Sequence, residues 1–207
     1  MSMKVLEVIE RVSRDLVDLR FVRWSKDELI DFLNDAVAAV LIRRPDLSRV
    51  TTEISHTSNR IDLPVDAYCL LSVNFIDSIA AQYVNIEKLN HLYPRWRVTE
   101  GDPTCWTKNS DDQKSFWLYP MPKAAVQIEY SYSKMSRVAE GDEFPIPSIY
   151  EGLVVDFIMY RAFSKDAENA SESNKASLHF QSFTVAIGDK NNTDALKAEM
   201  INQSLNK

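Results

Sequence analysis

Apolar and polar positions follow two different periods along this chain, and the changes of period divide it. The run from Ser148 to Asp166, SIYEGLVVDFIMYRAFSKD, holds Asp156 as its one polar residue between Leu153 and Tyr160. A helix apolar nearly all round needs partners on several sides. Ser148 with Glu151 three residues on has capping-box spacing, and with the length of the run this favours helix over buried strand. We expect this segment to be the central helix. Residues 3–18 place Val5, Ile9, Val12 and Leu16 on one helical stripe. Residues 24–44 open with Trp24, Ser25 and Glu28, a second capping box with Trp24 and Leu29 as its staple, and Pro45 stops them. Residues 170–188 start after Asn169 and carry Ala176, Phe180, Phe183 and Ile187 as a stripe, with Gly188 expected as the C-terminal cap.

Between these helices the period becomes two. Val50, Thr52, Ile54 and His56 alternate with polar partners, Thr57–Asn59 reads as a turn, and Ile61–Leu63 returns, which predicts a hairpin. Cys69–Ile76 predicts a central strand. Asn85 is placed to cap a short helix over Ile86, Leu89 and Leu92. Thr104–Lys108 and Ser115–Tyr119 predict a second hairpin with a polar tip at 109–113, and Val126–Tyr132 alternates most clearly of all. The fold class is therefore α+β. An antiparallel helical bundle is expected from residues 1–47 and 145–188, with a mostly antiparallel β-rich insert at 48–144 and a C-terminal tail at 189–207. In the tail, Leu196, Met200, Ile201 and Leu205 give only a narrow stripe. A helix this short is marginal in water, so the tail is expected to be loose until a partner orders it.

Composition narrows the function classes. A net charge of −6 leaves no global footprint for holding nucleic acid. No apolar run approaches the length of a bilayer span, and the amphipathic N-terminus is not a signal peptide, so a soluble protein made in a reducing compartment, with no membrane, is expected. Cys69 and Cys105 lack metal or redox spacing and read as buried or idle thiols. His56, His91 and His179 stand on different elements with no second ligand at metal spacing. Asp111 and Asp112 are neighbours in a loop, a solvated tip rather than an acid–base pair. The four glycines are too far apart for a phosphate loop, and no nucleophile motif occurs. No cofactor, no metal and no enzyme are expected. Trp96, Trp106, Phe116, Trp117 and Tyr119 could stack bases, but Phe116 and Leu118 face opposite to Trp117 and Tyr119, so one set is core and the other reads as an interface. Arg20, Arg23, Arg43 and Arg44 flank helix ends, either solvated and complementing dipoles or forming a basic contact with acidic partners.

Four stretches in order resemble the head-to-tail adaptor of short-tailed bacteriophages, the tail tubular protein A type. They are Arg23–Ile30 running into Leu33–Ala36 and Arg44–Asp46; Ile61–Pro64; Phe116–Pro122; and Ile146–Tyr150 continuing through Tyr160–Glu168. The resemblance covers about residues 20–188. It implies a homo-oligomeric ring, usually of twelve subunits, below the portal protein and above the tail nozzle protein, in the virion at the head–tail junction. It also implies a lumen through which double-stranded DNA passes without sequence recognition during ejection, and synthesis in the host cytoplasm. With those partners supplied, Leu196, Met200, Ile201 and Leu205 are expected to meet the portal or a neighbouring subunit. The tip residues Asn109, Asp111 and Asp112 are expected to meet the tail side. A tail-associated cell-wall hydrolase and a nucleic-acid-binding module are the competing classes.

Overall fold

The computed structural model describes residues 3–135, 137–165 and 169–205, with side chains described as far as Gly188. The chain is α+β. It forms two compact units, one from Met1–Arg44 with Arg137–Lys207 and one from Pro45–Ser136.

The first unit holds α1 (Val5–Asp15), α2 (Lys26–Arg43), α4 (Glu151–Lys165) and α5 (Ala170–Leu205). The apolar run of the sequence becomes α4, which packs against α1, α2 and α5. That is why Leu153, Val154, Val155, Ile158, Met159, Ala162 and Phe163 are all buried although they point in several directions. Charge pairs fix the register. Lys165 bonds Glu28 at 2.6 Å and Arg161 lies 3.3 Å from Asp35, so α2 and α4 run antiparallel. Ring contacts Phe163–His179, Tyr160–Phe180 and Phe157–Phe183 set α4 antiparallel to α5. Trp24 is buried against Phe163 and donates its indole N–H to the Ala162 carbonyl at 3.3 Å. The segment after Arg137 belongs here too: the Asn34 side-chain amide both donates to the Val138 carbonyl (3.1 Å) and accepts from its N–H (2.8 Å).

Three local expectations are corrected. Ser148 makes no capping bond. A 3-10 turn, Ser148–Tyr150, leads into α4 behind Pro147, and the Glu151 carboxylate that would have closed the box takes Arg11 at 2.9 Å instead. Gly188 is not a cap: α5 passes straight through it to Leu205, and no glycine adopts positive φ. A helix-interior glycine costs about 1 kcal/mol, which weakens a helix without ending it. Phe180 is exposed beside Tyr160, so the buried stripe of α5 is Ala176, Phe183 and Ile187.

The α1–α2 connection turns on Asp18. Its carboxylate accepts the backbone N–H groups of Val22 (2.9 Å), Arg23 (2.8 Å) and Trp24 (3.0 Å). The bond from Trp24 is the largest cause holding this carboxyl below its usual range. A depressed folded value means that the stabilisation is complete above the unfolded carboxyl value, about 3.9, and is lost as pH falls through the folded one. Asp18→Asn is therefore expected to lower the melting midpoint at pH 7. In pH-dependent melting the gap to wild type should close once the pH is well below 3.9; a gap that persists unchanged there would contradict this role.

The second unit is built on two sheets. One, antiparallel, has the order β1 (Arg49–His56), β10 (Val126–Lys134), β3 (Ala67–Ile76), β4 (Ile79–Ala80). The other has the order β2 (Arg60–Asp62), β8 (Ser115–Tyr119), β7 (Cys105–Thr107), β5 (Gln82–Tyr83), with β5 parallel to β7. A parallel pair of two-residue strands, β6 (Glu100–Gly101) and β9 (Met121–Pro122), adds to these. Ile61, Phe116, Leu118 and Trp106 from the second sheet share one core with Leu70, Val73, Ile76, Ile128 and Tyr130 from the first. Asn85 caps α3 (Ile86–Leu92) through the N–H groups of Glu87 and Lys88. The expected hairpin of residues 50–56 with 61–63 does not form. β1 pairs with β10 and β2 with β8, so Thr57–Asn59 carries the chain from one sheet to the other. Both strands thereby turn an apolar side to the common core, and buried Asn59 secures the crossing by donating to the Arg97 carbonyl at 2.8 Å.

Candidate functional site

The clearest cluster of reactive groups lies on α4 and α5. Asp156, the lone polar residue of the apolar run, accepts from His179 Nδ1 at 2.8 Å and from Ser182 Oγ at 2.7 Å. The three residue types are those of a hydrolase triad, but the order is wrong. A serine nucleophile needs its hydroxyl on the imidazole, with the carboxylate behind the ring. Here the carboxylate stands between the other two, so Ser182 is not activated and the cluster ties α5 to α4. A groove of about 630 Å³ beside it is lined by Arg11, Asp15, Leu153, Met159 and Ala186 among others. It brings no second nucleophile.

The hairpin tip is where the sequence places it. β7 and β8 pair antiparallel, and Asn109 and Asp111 are exposed at the turn. Asp112 shapes the tip, accepting from the N–H groups of Lys114 (2.9 Å) and Ser115 (3.1 Å) and from the Ser115 hydroxyl. The Ser115 hydroxyl is the largest cause pulling the Asp112 carboxyl below its usual range. A general acid needs the opposite shift. Asp112 cannot serve as one near neutral pH.

The aromatic face turned away from the core is not open. Trp96, itself buried, stacks edge-on against Trp117 and Tyr119, and Tyr93 covers Tyr119 at 5.7 Å. Arg97 and Arg60 lie over the Trp117 ring at 4.8 and 5.6 Å. The chain's own 3-10 turn, Trp96–Val98, thus occupies the surface that base stacking or a partner would use. Cys69 and Cys105 are buried and free, with burial raising both thiols. His56 bonds the Arg60 carbonyl and His91 is exposed on α3. Among the described residues no three metal-ligating side chains converge, and no helix is long and apolar enough to cross a membrane. For the tail, the backbone of α5 reaches Leu205, while the side chains of Leu196, Met200, Ile201 and Leu205 lie outside the described residues.

Sequence reasoning missed the pairing of Asp156. Two signals pointed to it: one polar residue inside an apolar helix, and a His179–Ser182 pair at i, i+3 beside the α5 stripe, where both face one neighbour.

At these surfaces the Asp112 and Asp156 carboxylates, the His179 imidazole and the Ser182 hydroxyl hold the local fold. The sequence profile of the SU10 adaptor protein family matches residues 3–203, and the chain belongs to that family. It is a phage head-to-tail adaptor, and the family is one of structural adaptor proteins. The match takes in α1 and nearly all of α5, beyond the stretches that carry the sequence resemblance. A comparison with curated proteins finds none that matches the chain.

Proposed function

We propose that the chain forms a ring, of twelve subunits, between the portal and the tail nozzle of a short-tailed phage, and that the ring lines the channel through which DNA leaves the head. The family match over residues 3–203 is the observation that carries this reading. In it, the helices of the first unit form one antiparallel bundle and the β unit is inserted between α2 and α4. α5 has 36 residues, about 54 Å of helix, against 15 in α4, so α4 has the length to cover less than half of it. The far end of α5 is the segment we assign to the portal or a neighbouring subunit, through Leu196, Met200, Ile201 and Leu205. An amphipathic helix seated in a groove is a common way to make such a contact. In this reading the far end of α5 is held in place by its partner on assembly. The tip residues Asn109, Asp111 and Asp112 face the tail side, and synthesis is in the host cytoplasm. Electron microscopy of the chain mixed with portal rings tests the reading: added density at one end of the portal supports it, and bare portals contradict it.

The acidic balance of −6 suits a channel in which DNA slides rather than binds. The free subunit is expected not to hold duplex DNA at physiological salt. Tight binding with a steep salt dependence in a filter or anisotropy assay would contradict a non-holding channel.

A further inference from the structure

The α1–α2 connection, Val17–Arg23, is built as a rigid knob. Val17 and Phe21 have φ of 57° and 54°, a region where a β-branched residue such as valine is an outlier. The three bonds to Asp18 keep the loop in this shape. Strain that the surroundings enforce concentrates at functional positions. The knob presents apolar area to solvent: Val17 is 88%, Leu19 68% and Val22 82% exposed. Arg20 stands among them, exposed and without an ion pair among the described residues.

A surface of complementary charge lies on the first sheet of the β unit. A groove of about 350 Å³ there is lined by Glu53, Phe75, Ser78, Gln127 and Glu129. Glu53 and Glu129 are directly opposite each other across β1 and β10, and Phe75 is opposite Glu129 on β3. Like charges in this position weaken a sheet. Among the described residues no cation pairs with either carboxylate; Glu129 receives one hydrogen bond, from Asn74 at 2.9 Å. Two carboxylates beside an exposed aromatic ring suit a guanidinium, which bonds the first and stacks on the second. Copies that each carry −6 repel one another, and setting a cation against acid at their contact offsets that repulsion.

We propose that the knob Val17–Arg23 of one copy docks in the Glu53–Glu129–Phe75 groove of a second copy. Arg20 lies between the carboxylates and the apolar residues lie against Phe75. The contact rests on the ring reading above: it is head-to-tail, and repetition of such a contact closes a ring when the rotation allows.

The test uses the full chain, with its oligomeric state read by native mass spectrometry, alone and with portal rings. Arg20→Glu is expected to raise the concentration at which the oligomer dissociates by about tenfold or more, a change of about 1.4 kcal/mol, with an unchanged melting midpoint of the subunit. Glu53→Gln is expected to move two readouts in opposite directions, raising the subunit's melting midpoint and weakening assembly. The groove variant Glu53→Arg with Glu129→Arg should fail to assemble alone and recover when combined with Arg20→Glu. Arg20→Glu assembling like wild type, or a charge exchange that brings no recovery, overturns the proposal. So does loss of portal binding from an oligomer left intact, which would give the knob to the portal. A wild-type chain that forms no oligomer even on portal rings removes the ring reading and this contact together. An intact wild-type oligomer with an indifferent Arg20 removes the contact alone.

Discussion

Deleting residues 189–207 is expected to leave the subunit folded with an unchanged melting midpoint and to abolish its joining to portal rings. The first half of α5 anchors the helix: Ala176, Phe183 and Ile187 are buried, and His179 and Ser182 both bond Asp156. Beyond Gly188 the helix continues for 17 more residues, to Leu205, about 25 Å. α4 begins at Glu151, and its antiparallel contacts with α5 run from Phe163 against His179 to Phe157 against Phe183. The far half of α5 therefore has little of α4 left to pack on. A segment that contributes little to its own fold can be removed without cost to stability, and one that docks a partner cannot be removed without cost to binding. Co-sedimentation with portal rings reads the second quantity and thermal melting the first. A truncated chain that joins portals as well as the full one would move the contact to another surface of the subunit.

Phe183→Ala is expected to cost about 3–5 kcal/mol in chemical denaturation. The ring is 1% exposed, stands edge-on to Phe157 at 5.0 Å, and has the Arg43 guanidinium 6.0 Å from its centroid. Truncation leaves a cavity bounded by α4 and α2, which are themselves held in register by Lys165–Glu28 and Arg161–Asp35 and so cannot close over it. Phe157, on the opposite side of the contact, is only half-buried and should cost less. A loss below about 1 kcal/mol for Phe183→Ala would mean that α5 is not fastened to α4 as described.

Elements with a long, unbroken pattern were legible in the chain. The stripe Val5, Ile9, Val12, Leu16 is buried as its spacing predicts, and Ser25 and Asn85 cap their helices. β10 takes the clearest alternation, and β7 with β8 makes the expected hairpin. Pairing between strands was less legible, because period two says which side of a strand is apolar and not which neighbour it joins. Ile54 and Ile61 both need the core, and the fold satisfies them from two different sheets. The two-residue strands β4, β5, β6 and β9 are too short to leave any period at all. At Ser148 and Gly188 a residue of the right type stood at the right spacing and did not act as a cap: behind Pro147 the chain enters a 3-10 turn, and one helix-interior glycine, at a cost of about 1 kcal/mol, does not end α5. Of the candidate site, the exposed tip was legible and the covering of Trp117 and Tyr119 was not. Trp96 comes from a 3-10 turn some twenty residues earlier, and no spacing rule connects the two.

The central claim, that this adaptor works as a ring on the portal, is tested most directly by one mass. The chain weighs 23.7 kDa. Native mass spectrometry of the protein mixed with portal rings is expected to show about twelve subunits added to each portal, in one discrete step. Free 23.7 kDa subunits beside unchanged portals, at concentrations well above those of assembly, would contradict it.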